Sequence, residues 1–174
     1  MNVEKVISSQ LEILGQGKQF LLSCSNAAYN HITAPHFTSS PGKHMRHVLD
    51  HYLAIMNSND TGLIDYDKRN RDTSIESELD SALSLLESIE NWLSALTSEE
   101  LLRTLDVKSE ISVSETQVLT CPSNVARELM FVGSHAVHHF SLISAMMSLT
   151  GTQLDNDFGV APATLSHQRE VALS

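Results

Sequence analysis

Histidines are concentrated in two short stretches of this 174-residue chain. The downstream stretch carries His135, His138 and His139 within five positions of a strongly helical pattern. Residues four apart lie one turn above each other on a helix, so His135 and His139 can point at the same place. The pair lacks the glutamate of a His-Glu-x-x-His sequence, so a metalloprotease helix is not indicated.

The upstream stretch carries His44, His47 and His51 at spacings that put all three on one side of a second helix. Neutral imidazoles that converge in an apolar interior need partners for their nitrogens, and a divalent cation is such a partner. We therefore predict that the two stretches face each other and hold a metal ion. Imidazole suits both zinc and nickel, and the sequence leaves that choice open.

Four amphipathic segments can position these histidines. Apolar residues recur at helical spacing, which predicts helices over about 3–30, 41–57, 73–97 and 123–150. Gly15 and Gly17 weaken the centre of the first helix. The predicted fold is all-α, a four-helix bundle.

Caps and turns indicate where these helices begin. Ser40 can cap the second helix, with Pro41 in its first position. The sequence Thr73-Ser-Ile-Glu76 is typical of a capping box that opens the third, and Pro122 and Ser123 introduce the fourth.

The connections differ from one another. Residues 63–72 lack periodicity and are predicted to form a loop. Between the third and fourth helices, 105–108 and 111–119 alternate apolar and polar residues, which predicts a short β-hairpin. The tail 158–165 contains enough apolar residues to pack back on the bundle.

Composition limits the function classes. The chain has 11 Lys and Arg against 21 Asp and Glu and no extended basic patch, so nucleic acid is not an expected partner. It has no apolar run long enough to span a membrane and no signal peptide, so we expect a single cytoplasmic domain over residues 1–174. Cys24 and Cys121 have neither disulfide-scaffold nor zinc spacing.

Two motifs resemble those of a known family. Ser40-Pro-Gly42-Lys-His-Met-Arg-His47 and His135-Ala-Val-His138-His139-Phe-Ser-Leu-Ile are similar to the motifs of the DinB-like superfamily of metal-dependent four-helix bundles. That superfamily includes YfiT-like hydrolases and the bacillithiol and mycothiol S-transferases. The resemblance covers helices two to four. It implies that His47, His135 and His139 are the metal ligands, and family members are often homodimers.

Neighbouring residues receive supporting roles. His51 lies one turn beyond His47 and could replace it as a ligand. His138 is rotated by about 300° from His135, which suits a hydrogen bond beside the site. Asp50 and Glu128 could orient a ligand imidazole, as carboxylates near metal sites do.

Other residues are expected at the mouth of the site. His44 is expected there, and more exposed than the ligands. The family often has an arginine after the last histidine, where this chain has Phe140. A contact to an anionic substrate would then come from Arg69 and Arg71, with Tyr66 stacking or donating a hydrogen bond.

The resemblance implies a metal-dependent enzyme acting on a small molecule. Three histidine ligands leave positions at which a metal can hold a thiolate or activate water, so thiol transfer and hydrolysis both remain open. Neither cysteine lies in a histidine motif, so a low-molecular-weight thiol would supply any reactive sulfur. The alternative is a non-catalytic metal-binding stress-response or small-molecule-binding module.

Overall fold

The computed structural model describes residues 4–68 and 73–173. These residues form seven α-helices, and a three-stranded sheet lies beside them. The helices are α1 (Glu4–Ser23), α2 (Asn26–Asn30), α3 (Pro41–Met56), α4 (Leu79–Ala95), α5 (Ser98–Leu102), α6 (Val125–Leu149) and α7 (Pro162–Ala172). The strands are β1 (Leu63–Asp65), β2 (Thr104–Glu110) and β3 (Val118–Asn124).

The four long helices form the predicted bundle. Both α4 and α6 pack against α1 and also against α3, so α1 and α3 lie diagonally opposite each other. The interior is built from aliphatic side chains of all four helices, including the fully buried Leu14, Leu49, Leu86 and Ile143. Each such side chain contributes about 1.5–3 kcal/mol when it leaves water.

The first helix is continuous through its predicted weak centre and ends before its predicted boundary. Helix α1 runs through Gly15 and Gly17 without interruption and ends at Ser23, and Ser25 then caps the short α2 by accepting a hydrogen bond from the Ala28 amide. Gly17 faces the Phe140 ring of α6, whose Cζ would lie 2.9 Å from an added Cβ. This glycine therefore allows close helix packing and does not mark a soft centre.

Helix α3 begins as predicted. The Ser40 hydroxyl accepts a hydrogen bond from the Lys43 amide at 3.3 Å, and Pro41 occupies the first turn. At Gly42 an added Cβ would overlap the carbonyl oxygen of Glu76 and lie 2.8 Å from Cε1 of Tyr29. The glycine of the sequence motif thus lets the segment before α4 pack directly against α3.

The predicted capping box at Thr73 is wrong. Thr73 makes no capping hydrogen bond, residues 74–76 form a single 3-10 turn, and α4 begins only at Leu79. The Glu76 carboxylate is instead bonded to Arg46 of α3. A capping box does open the next helix, where the side chains and amides of Thr97 and Glu100 bond reciprocally.

The predicted hairpin is confirmed, and it gains a third strand. Strands β2 and β3 are antiparallel, with Lys108 opposite Thr120, while β1 pairs in parallel with β2. The prediction of a loop over 63–72 is therefore wrong for 63–65, and 69–72 lie outside the described residues. Because β3 is an edge strand, it tolerates Pro122, and α6 starts after it with Asn124 as its cap.

The tail packs back onto the bundle. The Phe158 ring stacks between Phe20 of α1 and Phe140 of α6, with centroid distances of 5.7 and 5.1 Å. Gly159 follows with a φ of 73°, and its Cα lies against the backbone of Ser141. In the part of the chain that is described, no helix is both long enough and apolar enough to cross a membrane.

Candidate metal centre

The two histidine stretches lie on adjacent antiparallel helices. His44 of α3 pairs with His139 of α6, and one turn further along α3, His47 pairs with His135. The next turn of α3 brings His51 to stack on the His135 ring, at a centroid distance of 4.3 Å. The predicted juxtaposition of the two stretches is therefore present in the structure.

Three of these imidazoles converge on one point. One nitrogen from each of His47, His135 and His139 lies within 4.8 Å of the others, and the Nε2 atoms of His47 and His135 are 3.0 Å apart. Nitrogens bound at about 2.1 Å would be about 3.0 Å apart on an octahedral ion and about 3.4 Å apart on a tetrahedral one. The donor set therefore fits a divalent metal, and the histidines brought together are the three predicted as ligands.

The environment favours neutral imidazole at His139. Burial, followed by the neighbouring imidazoles of His47 and His135, lowers the pKa of His139 to about 2. A neutral ring keeps a nitrogen lone pair, which is the form that binds a metal. His139 is therefore neutral, the form that could bind a metal.

His51 lies beside the three-histidine group and outside it. The side chain is 6% exposed, and its Nδ1 donates a hydrogen bond to the His47 carbonyl at 2.9 Å, because a carbonyl can only accept. The His51 ring is stacked on the His135 ring and restricts its orientation. Its use as an alternate ligand stays a prediction.

His44 is closer to the site than expected. It is half-buried, its Nδ1 lies 2.8 Å from Nδ1 of His139, and its Nε2 lies 2.7 Å from the Ser39 hydroxyl. Burial, and then the charge of His138, lowers the pKa of His44. The signal in the sequence was its position one turn before His47 on the same face.

A buried carboxylate lies behind the histidines. Glu128 is 5% exposed and accepts hydrogen bonds from the Tyr66 hydroxyl at 2.8 Å and the Ser123 hydroxyl at 2.6 Å. The Tyr66 ring stacks on His51 at 5.0 Å. Burial and the Glu128 charge raise the pKa of Tyr66, which keeps the phenol as a hydrogen-bond donor. Glu128 therefore supports the histidines through Tyr66 and His51.

Asp50 belongs to a second buried network. Its carboxylate accepts a hydrogen bond from Arg46 at 3.0 Å, and the same guanidinium reaches Glu76 at 3.3 Å. Because Arg46 lies between His44 and His47 on α3, this network anchors the ligand-bearing helix to the segment before α4. A role for Asp50 in orienting an imidazole stays a prediction.

The remaining predicted residues lie around the opening. His138 is exposed and its ring lies 5.4 Å from that of His139. A cavity of about 260 Å³ adjoins His47 and His139, and Lys43 lines it as a cation on α3. Arg69 and Arg71 lie outside the described residues, so their predicted contact with substrate stays a prediction.

Comparison with known proteins supports the fold. A DinB-like protein of Bacillus subtilis, known from its crystal structure, superposes with a TM-score of 0.58 and 17% identity over 88% of this chain and 98% of that one. FK506-binding protein 5 of Rhizopus delemar is 29% identical over 105 residues, which are 60% of this chain and 27% of that protein. The chain thus matches about a quarter of that protein's length. No protein-family model matches the chain.

Proposed function

We propose that this chain, which has the DinB-like fold, is a metal-dependent enzyme that transfers a low-molecular-weight thiol to a small electrophile. The observation that carries the proposal is the convergence of His47, His135 and His139 within 4.8 Å beside an open cavity. A divalent metal at this site would supply Lewis acidity, holding a sulfur as thiolate or making water more acidic.

The surrounding residues favour open coordination positions over a closed structural site. A structural metal takes four protein ligands, whereas a catalytic one keeps a position for water or substrate. The candidates for a fourth ligand lie outside the group. His51 donates to the His47 carbonyl, and both Glu128 oxygens accept hydrogen bonds from hydroxyls. These contacts support a catalytic site over the non-catalytic alternative.

The placement of the cysteines favours a thiol that comes from solution. Cys24 is half-buried and Cys121 is exposed, and neither belongs to the three-histidine group. The cavity beside His47 and His139 would admit the thiol, with Lys43 available for a carboxylate on it. Hydrolysis is the second reaction of this class, and it would use the same ligands.

The first experiment measures the metal content of the purified protein. Elemental analysis should find about one equivalent of divalent metal in the wild type and in His167→Ala, whose exposed side chain lies on α7, outside both motifs. His135→Ala and His139→Ala should lose most of it, because each removes one of three ligands. Equal metal content in all four proteins would contradict the site.

A second experiment tests the thiol. Cysteinyl thiols added to the cobalt-substituted protein should produce a sulfur-to-cobalt charge-transfer band, and an aryl chloride should then be converted to its thioether with release of chloride and a proton. A cobalt spectrum unchanged by thiol, together with ester hydrolysis at the loaded site, would favour the hydrolase.

A further inference from the structure

His44 has contacts that the three-ligand site does not account for. Both of its ring nitrogens make hydrogen bonds. Nε2 lies 2.7 Å from the Ser39 hydroxyl, and Nδ1 lies 2.8 Å from Nδ1 of His139. His44 is not part of the group whose nitrogens lie within 4.8 Å of one another. It therefore contacts the proposed ligand His139 without joining the three-histidine group.

Counting the protons shows which group donates in each of these two hydrogen bonds. Two imidazole nitrogens at 2.8 Å share one proton, so one ring donates and the other accepts. If His44 donated to His139, the proton of neutral His139 would be on Nε2 and its lone pair would be taken at Nδ1. No lone pair would then be available for a metal.

The opposite direction prepares the ligand. When His139 donates from Nδ1, its Nε2 keeps the lone pair. His44 then accepts at Nδ1, carries its own proton on Nε2, and donates it to the Ser39 oxygen, which lies within 2.7 Å. One tautomer of each ring satisfies every contact and leaves His139 able to bind a metal.

We propose that His44 is a positioning residue that accepts the Nδ1 proton of His139 and thereby holds that ligand in its metal-binding tautomer and orientation. The inference rests on the proposed metal site. Groups that accept a proton from a ligand imidazole raise its basicity, and their loss typically weakens metal binding by about 10–100-fold.

The local sequence places these groups together. Ser39 immediately precedes the cap of α3, and His44 follows in the first turns, one turn before His47. The motif that supplies His47 therefore also supplies the partner of His139. The first turns of α3 thus carry one proposed ligand, His47, and position another, His139 of α6.

The test measures metal affinity by competition between the purified protein and a chromophoric zinc chelator. His44→Ala and His44→Gln should bind zinc about 10–100-fold more weakly than the wild type. His44→Asn should recover most of the affinity, because its amide oxygen can take the position of Nδ1 whereas that of Gln reaches toward Nε2. His167→Ala, which removes an exposed histidine of α7 outside both motifs, is the matched control and should bind zinc as the wild type does.

The outcomes separate this inference from the site itself. A wild type without zinc affinity would overturn the metal site and this inference with it. Tight zinc binding by the wild type and equally tight binding by His44→Ala and His44→Gln would overturn the positioning role alone. A cobalt spectrum whose coordination number changes in His44→Ala would also overturn it, because His44 would then be a ligand.

Discussion

Two glycine-to-alanine exchanges should change stability in opposite directions. In Gly42→Ala the new Cβ would overlap the Glu76 carbonyl oxygen and lie 2.8 Å from the Tyr29 ring, so backbone must move. In Gly15→Ala the new Cβ would meet nothing within 4 Å. Both positions lie in helices, so the second variant is a matched control for the first.

The magnitudes follow from two opposing effects. Replacing glycine by alanine within a helix stabilises the fold by about 0.5–1 kcal/mol, whereas overpacking costs about 1–3 kcal/mol. Gly15→Ala should therefore raise the free energy of unfolding, and Gly42→Ala should lower it by up to about 2.5 kcal/mol. The difference between the variants isolates overpacking at Gly42, about 1–3 kcal/mol.

Urea unfolding followed by circular dichroism measures this difference. In thermal unfolding, each kcal/mol corresponds to about 2–4 °C in a chain of this size. The zinc affinity of Gly42→Ala should fall as well, because the displaced turn of α3 carries His44. If Gly42→Ala were as stable as Gly15→Ala, the close approach of Glu76 to α3 would be refuted.

Two further outcomes test other parts of the structure. Arg46→Met should lower the free energy of unfolding by about 3–5 kcal/mol, because it removes the cation that neutralises the largely buried Asp50 and Glu76. A urea midpoint equal to that of the wild type would contradict this. Iodoacetamide at pH 8 should label Cys121 before Cys24, because burial raises the pKa of Cys24 to about 11. Peptide mass spectrometry distinguishes the two, and faster labelling of Cys24 would count against its burial.

The parts of the site that were predicted from the sequence depend on residues close together in the chain. The i, i+4 spacing put His135 and His139 on one helix face, and the cap at Ser40 fixed the start of α3. These signals need no knowledge of the rest of the fold. The pairing of α3 with α6 was predicted because converging imidazoles need a common partner, and the family resemblance agreed with it.

The sequence failed where tertiary contacts compete with local ones. Glu76 has the spacing of a capping residue, but it is bonded to Arg46, a partner 30 residues away in the sequence. Leu63–Asp65 forms a strand only because β2 lies beside it. His44 lines the cavity beside His47 and His139, but its contact with His139 was not predicted, because that contact depends on how two helices align.

The proposed ligands come from distant parts of the chain, since His47 and His135 are 88 residues apart. An ion held by both would act as a removable cross-link that closes a long loop, as a disulfide does. A chain in which only α6 had formed would offer the ion the His135–His139 pair alone, so tight metal binding would require α3 to be docked. Free metal at 100 times its dissociation constant would then add about 2.7 kcal/mol to the free energy of unfolding. The stability of the bundle would therefore depend on the concentration of free metal.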